Sequence, residues 1–402
     1  MNKETLTLKK NNTSETIITF VSKYAIIFEL LIVVLFFNAL TDGLFLSPVN
    51  ISNCLMQGCT YALLAIGMLF LLVAGHIDLS CGALLGFTGM VAAYIAVRTD
   101  LNLSAGAIIL IVIGISMLAQ LWNGLWITYA HMPAFIATLS SQFIFKGATY
   151  MIANGQAIGP MSEAFCIWGQ SYLDDLFVSE KTSFSYLTIV VAASLLVALI
   201  VFRFMKRNSQ IKHGFKPNSI VKEAMTVLVL GATIAFLAYK LGSYKGIPIA
   251  VFILFIFTIG FTFMANNTPF GKHIYAVGSN KEAAHMSGVN VKKTTIGMYL
   301  VMGFVTGVAS IVYLGRVAQA TTLAGVNFEF NAITGCIVGG ASTMGGIGSV
   351  SGAVLGAVFM ACLDNGMNLL GVSTNSQYLV KGFVLLFGVA MDMLMKSRKS
   401  KM

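Results

Sequence analysis

The chain has 402 residues, of which 57% are hydrophobic and 10% charged, with a formal net charge of +10 and a mean hydropathy of +0.84. A soluble domain is about 25% charged, so this composition excludes a soluble enzyme, a disordered chain and a secreted disulfide scaffold. The apolar runs are near the roughly 20 residues a helix needs to cross a bilayer, and they predict an all-α polytopic membrane protein with about ten to twelve transmembrane helices.

In chain order, residues 1–22 are mostly polar and are expected to form a cytoplasmic N-terminal segment, followed by a transmembrane domain over 23–396 and a basic cytoplasmic tail over 397–402. No cleavable signal is expected, and the first apolar run is expected to act as an uncleaved anchor. Candidate spans are Tyr24–Ala39, Leu55–Ala74, Cys81–Val97, Ala105–Ile127 and Pro133–Ile152, then Tyr186–Phe204, Val221–Tyr239 and Ile247–Ala265. The last group is Thr294–Tyr313, Asn331–Met344, Ser349–Leu370 and Gln377–Met395. The Asn331–Met344 run is short for a span and suits a half-helix or re-entrant piece.

Lys and Arg set the expected orientation. Lys206, Arg207, Lys212 and Lys216 follow the sixth run, and Lys272, Lys281, Lys292 and Lys293 lie in or beside the 266–293 loop. Lys396, Arg398, Lys399 and Lys401 end the chain, and Lys9-Lys10 precede the first run. All four stretches are expected to be cytoplasmic, which requires an even number of crossings. The more acidic loop 153–184 is expected to face outward. The basic residues are not interleaved with stacking aromatics, so nucleic acid is not an expected partner.

Residues 75–86 align with 345–356, matching Gly75, Gly82 and Gly86 to Gly345, Gly352 and Gly356. This internal repeat with interrupted helices is how many transporters build a route near mid-membrane. The alignment leaves open whether the two halves are parallel or inverted. The pairs Gly82/Gly86, Gly303/Gly307, Gly335/Gly339 and Gly352/Gly356 are all spaced GxxxG, a helix-packing signal.

Asp78 is a carboxylate in an otherwise apolar region, at a cost of about 2.5–3.5 kcal/mol on insertion scales. It reads either as a pathway or gate residue, or, with Ser80, as a cap for the N–H groups of the following helix. Glu29, Lys146, Asp364 and Lys381 are further charges within apolar runs. Residues 280–289 form a polar, helix-like segment in a basic loop, with Glu282-Ala283-Ala284 favouring helix and Gly288 stopping it. Such a segment is either an ordinary surface helix or a rigid projection that docks a cytoplasmic partner. The six cysteines have no metal-site spacing, no GxxxxGK[ST] nucleotide loop occurs, and neither catalytic residues nor a metal is expected.

The run Val73-Ala74-Gly75-His76-Ile77-Asp78-Leu79-Ser80 resembles a signature of bacterial sugar ABC importer permeases of the ribose/xylose type. The resemblance continues through Pro133–Leu139, Gly271–Gly278, Glu282-Ala283-Ala284 to Gly288, Gly339–Ser342 and Asp364–Met367, and covers about Thr41 to Asp392. An additional loop and span over 203–247 and the run Gly155–Pro160 are similar to the longer xylose and multiple-monosaccharide branch. Cys81 stands where Val is usual, Ala341–Met344 replaces a Thr-Ser-Leu-Ala wording, and His285-Met286 replaces Arg-Leu, which removes a permanent charge.

The resemblance implies a membrane subunit that pairs with a second copy, a separate cytoplasmic ATPase and an extracytoplasmic sugar-binding protein. The chain itself would hold no cofactor, because ATP would sit on the ATPase. Glu282, Ala283, Ala284 and Gly288 would be the ATPase-coupling residues. Polar candidates for the pathway are Asp78, Ser80, Asn53, Gln120, Asn123, Gln142 and Asn365, with Trp122 for stacking on a sugar face. Helix packing falls to Gly82, Gly86, Gly335, Gly339, Gly352 and Gly356. The expected site is the bacterial cytoplasmic membrane, in contact with its lipid. Two rival classes are an ion-coupled secondary carrier and an ABC permease for another small solute such as branched-chain amino acids.

Overall fold

A computed structural model describes residues 11–174, 184–214 and 220–400. The expected N-terminal segment and tail lie partly outside the described residues, as do Lys9, Lys10, Lys216 and Lys401. The described residues form α1 (Asn11–Leu40), α2 (Pro48–Val73), α3 (Cys81–Arg98), α4 (Ala105–Tyr129), α5 (Ala134–Ala153), α6 (Glu163–Gln170), α7 (Tyr186–Lys212) and α8 (Ile220–Gly242). They continue with α9 (Ile249–Asn267), α10 (Pro269–Ser279), α11 (Lys281–Met286), α12 (Val291–Val317), α13 (Phe328–Val338), α14 (Val350–Leu369) and α15 (Thr374–Ser400). No strand occurs among them, only two isolated bridges, Ile158 with Ala320 and Tyr172 with Pro248.

Among the described residues, eight helices are long and apolar enough to cross a membrane: α2, α3, α4, α7, α8, α9, α12 and α14. Each apolar run read from the sequence coincides with a helix. The short Asn331–Met344 run becomes α13, which begins earlier and stops at Val338, because Gly339 and Gly340 end it. The loop helix α10 was not anticipated.

A helix that is apolar on every side must be enclosed. α2 fits this rule, with no side chain from Ala62 to Val73 more than 1% exposed. It is surrounded by α9, α12, α13 and α14, while α12 also packs along α4. Close approach depends on glycine. Gly303 and Gly307 of α12 meet the α4 backbone at Met117 and Ile113, and Gly335 of α13 and Gly339 at its C-cap interleave with Gly356 and Gly352 of α14. Gly82 and Gly86 of α3 instead receive the Gly325 and Ala324 carbonyls of the irregular segment before α13. All of these seams are internal to one chain. α7 and α8 form a peripheral hairpin joined by an Arg203–Glu223 ion pair of 3.0 Å, and their apolar outer faces suit lipid as solvent.

α2 and α13 end in the same way. Gly75 (φ 79°) donates to the Leu72 carbonyl and His76 to Leu71, while Gly340 (φ 90°) donates to Ile337 and Ala341 to Cys336. These are paired Schellman bonds with glycine in the left-handed position. The Gly346 N–H then donates to the Val73 carbonyl at 2.8 Å, bringing the turns after α2 and α13 together on one face. α2 and α13 run toward that face, and α3 and α14 leave it. The repeat left open by sequence therefore runs in the same sense in both halves.

Candidate functional site

On that face, α10 and α11 form a short helical elbow. Thr268 caps α10 by accepting from Gly271 N, and Asn280 caps α11 by accepting from Ala283 N. α11 ends in another Schellman pair, Gly288 to His285 and Val289 to Ala284, with Gly288 at φ +86° and open space where a Cβ would stand. Ala284 packs inward at 5% exposure, whereas Glu282, Ala283, His285 and Met286 face outward. The elbow borders a cavity of about 1000 Å³ lined in part by His76, His131, Lys281, Glu282, His285 and Lys292.

The base of the elbow is wedged into both turns. Gly278 of α10 lies against the Val73 carbonyl and Gly346 N, and Tyr275 donates from Oη to the Gly348 carbonyl at 2.9 Å. His76, in the turn after α2, lies 3.4 Å from Tyr299 Oη. Burial, with Lys281 adding to it, lowers the His76 imidazole from its ordinary value to about 4, so His76 is neutral at pH 7.

Beyond the first turn, the 77–80 segment is tied to α4 and α5 by a closed polar network. Asp78 Oδ1 accepts from Ser80 N (2.7 Å) and Ser80 Oγ (2.6 Å), and Asp78 Oδ2 accepts from Gln120 Nε2 (2.6 Å). Asn123 Nδ2 donates to Ser80 Oγ at 3.0 Å and Asn123 Oδ1 accepts from Ser141. Thr138 Oγ1 accepts from Leu79 N. Asp78, Ser80, Gln120 and Asn123 are all 0% exposed. A buried charge is tolerated when it is hydrogen-bonded like this. The helix-capping expectation is corrected here. Ser80 stands at the N-cap of α3 without a side-chain cap bond, because its hydroxyl is committed to Asp78, and Asp78 serves the Ser80 N–H rather than those of α3. In the second half Ser349 does cap, accepting from Gly352 N at 3.1 Å.

The remaining pathway candidates do not converge on one route. Asn365 exchanges reciprocal amide bonds with Asn50 (2.9 and 3.0 Å), clamping α14 to the start of α2. Gln142 Nε2 donates to Glu329 Oε1 at 2.8 Å. Trp122 faces outward against Trp126, with ring centroids 5.2 Å apart, and Asn53 is exposed. Glu329 and Tyr61, which the sequence reading overlooked, matter here, as does the Asp364–Lys381 pair it named as separate charges. Glu329 is buried in the first turn of α13. Tyr61 and Lys381 both bind Asp364, at 3.1 Å and 2.8 Å respectively.

Interrupted membrane helices joined to a loop elbow on one face are the anatomy of a transport subunit. The family described as the branched-chain amino acid transport system permease component matches residues 50–389. The chain belongs to this permease family. It is 37% identical over 380 residues to the xylose transport system permease protein XylH of Escherichia coli K12, covering 93% of this chain and 92% of that one. It is 35% identical over 384 residues to XylH of Haemophilus influenzae, covering 94% and 97%. The ribose import permease protein RbsC of Escherichia coli K12 is 29% identical over 343 residues, covering 85% of each chain. No solved structure matches. The chain is thus a multi-pass membrane permease of the xylose and ribose type.

Proposed function

We propose that the chain is the membrane subunit of an ATP-driven, binding-protein-dependent importer of monosaccharides, working as two copies. A separate ATPase binds the α10–α11 elbow and holds the ATP, with no nucleotide, metal or catalytic residue needed on this chain. An extracytoplasmic protein delivers the sugar to the opposite face. The elbow face, rich in Lys and Arg, is cytoplasmic by the positive-inside rule, and so are both termini.

The wedge of α10 between Val73 and Gly346 is the observation that carries the mechanism. A push on α11 bears on α10, and α10 touches the turns of both repeats. The first turn continues through Asp78 into α4 and α5, and the second continues into α14. A rigid displacement of the elbow thereby reaches the helices of both halves without a nucleotide on this chain. Relatives named for xylose and ribose favour a sugar over a branched-chain amino acid.

The test is the chain reconstituted in nanodiscs with its candidate ATPase, with ATP hydrolysis measured with and without sugar-loaded binding protein. Hydrolysis that rises only with the loaded protein supports the reading. Absence of a complex, with sugar uptake driven by an ion gradient, refutes it in favour of a secondary carrier.

A further inference from the structure

The cavity beside the elbow carries more chemistry on its walls than a docked α11 needs. It lies between α11, the end of α4 with the turn after it, and the start of α12. At about 1000 Å³ it is of the size that takes a small-molecule ligand. Lys281 comes from the elbow and Lys292 from α12, and neither forms an ion pair among the described residues. Lys292 Nζ lies 5.3 Å from the centre of the Tyr129 ring, at the end of α4. Glu282 is the one carboxylate among the described lining residues, so the walls carry an excess of positive charge.

Uncommitted donors surround these cations. Val291 and Lys292 open α12, and their backbone N–H groups have no acceptor among the described residues, because Asn290 serves the N–H groups of Lys293 and Thr294 instead. A helix start with free N–H groups favours negative charge. Thr295, one turn into α12, and Thr128, in the last turn of α4, are 5% and 7% exposed. Both line the cavity, and neither hydroxyl has a hydrogen-bond partner among the described residues. A buried hydroxyl left without a partner is costly. Two ammonium groups, a helix start and two buried hydroxyls form a set of donors that exceeds what one carboxylate can accept. A phosphomonoester, with three acceptor oxygens and a charge of about −1.5 to −2 at pH 7, matches it.

We propose that this cavity is a regulatory site for a soluble cytoplasmic phosphomonoester, which ties the elbow to α4 and α12 and so slows import. This rests on the transport reading above and adds a regulator to its elbow. One wall of the cavity belongs to α11 and the others to α4, the turn after it and α12. A phosphate shared by Lys281 and Lys292 therefore bridges the part that the ATPase pushes and the helices it is pushed against. Such a ligand acts through the difference in its affinity for the two elbow positions. The phosphate fills only a small part of the volume, and the imidazoles of His131 and His285 are left for hydroxyls on the body of the ester.

The test begins with the full chain alone in phosphatidylcholine nanodiscs. It measures equilibrium binding of radiolabelled inorganic phosphate and of glucose phosphate esterified at the primary hydroxyl. Both should bind saturably, the ester more tightly, and free glucose should not compete. Lys292→Gln should weaken binding about tenfold, the size of one hydrogen bond to a charged group. Lys292→Arg should keep most of it, and Thr295→Val should weaken it without lowering the melting midpoint. The ATPase and sugar-loaded binding protein are then added. The hydrolysis they stimulate should fall by half near the ester concentration that half-fills the site, and Lys292→Gln should need about ten times more. Absence of binding by either probe overturns the proposal, as do native binding by Lys292→Gln, competition by glucose, and hydrolysis that is untouched at saturation. So does loss of ester binding when the discs contain phosphatidic acid, which would assign the cavity to a lipid headgroup. A failed transport reading is told apart because the unsubstituted complex would then show no stimulated hydrolysis, while ester binding to the chain alone would persist.

Discussion

Replacing Gly278 with alanine tests whether the elbow truly transmits force through its base. A Cβ at this position would overlap the Val73 carbonyl and press on Gly346 N, both backbone atoms rather than flexible side-chain ends. Relief requires α10 to move away or the Gly346–Val73 hydrogen bond of 2.8 Å to open. Overpacking a tight site costs about 1–3 kcal/mol, and a lost backbone bond adds about 0.5–1.5 kcal/mol. The sum is about 2–4 kcal/mol, concentrated where α10 meets both turns. Gly260→Ala in α9 is the control, since a Cβ there meets open space. Thermal unfolding of the purified chain, followed by size-exclusion fluorescence, should show a lower midpoint for Gly278→Ala and none for Gly260→Ala. In the reconstituted complex, Gly278→Ala should hydrolyse ATP without matching sugar uptake. A variant with the native midpoint and native coupling would falsify the wedge as the transmission point.

Gly288→Ala meets no clash but forces an L-residue to φ +86°. It should cost about 1–2 kcal/mol and loosen the last turn of α11. Uptake should fall with membrane insertion unchanged, and Gly288→Asn should be milder, as read by uptake in vesicles normalised to the amount inserted. His76 has a folded-state value near 4 against about 6.5 unfolded, so the unfolded chain binds the extra proton between these values. Stability is thus fully present above pH 6.5 and falls by up to about 3 kcal/mol as pH drops through that window. His76→Gln should flatten this stretch of the melting-midpoint profile. Breaking the Asp364–Lys381 pair with Lys381→Met leaves a buried carboxylate with only Tyr61 and Asn331 near it. Because Lys381 is partly exposed, the cost should sit below the 3–5 kcal/mol typical of fully buried pairs, at about 1–3 kcal/mol. Adding Asp364→Asn should recover most of the lost midpoint, and a double variant no better than the single one would refute this.

The helices were legible because each long apolar run has one solution in a bilayer, a helix with its backbone bonds satisfied internally. α11 was legible for a local reason too, since Glu-Ala-Ala favours helix and Gly288 stops it. α10 was missed because Gly271 and Gly278 argue against a helix locally. Their presence is explained by long-range contacts instead, Gly271 against the α9 backbone and Gly278 against Val73. The candidate site was only partly legible. Asp78 stood out as a lone carboxylate, but its partner Gln120, and Asn123 on the neighbouring Ser80, lie about 40 residues away, and nothing in spacing joins them. Glu329 gave the same signal, a carboxylate beside an apolar run, but it falls just outside the predicted Asn331–Met344 boundary and so reads as interfacial. The GxxxG pairs announced close packing without naming the packed element. At Gly82 and Gly86 that element is a non-helical segment, which no helix-pair motif describes.

These placements divide the molecule into a spine and moving parts. α2 is enclosed from Gly58 to Val73 and cannot shift without opening a core in which each lost methylene carries a cost. The turns at its end and at the end of α13 are different. Each is held by two Schellman bonds and a few backbone contacts, and both meet at Gly278. A transporter that alternates access needs some contacts weak enough to rearrange, since a driving partner supplies only the difference in its affinity for two states. Polar bonds tie the segments that adjoin these turns to particular helices, Asp78 to Gln120 of α4 and Ser349 to Gly352 of α14. The asymmetry between the halves then has a mechanical meaning. Ser349 caps α14 locally, whereas Asp78 reaches across to α4, so the first turn is bonded to α4 and α5 and the second to α14, which packs on α13. On the coupling proposed above, a displacement of the elbow therefore reaches α4 and α5 through Asp78 and Leu79.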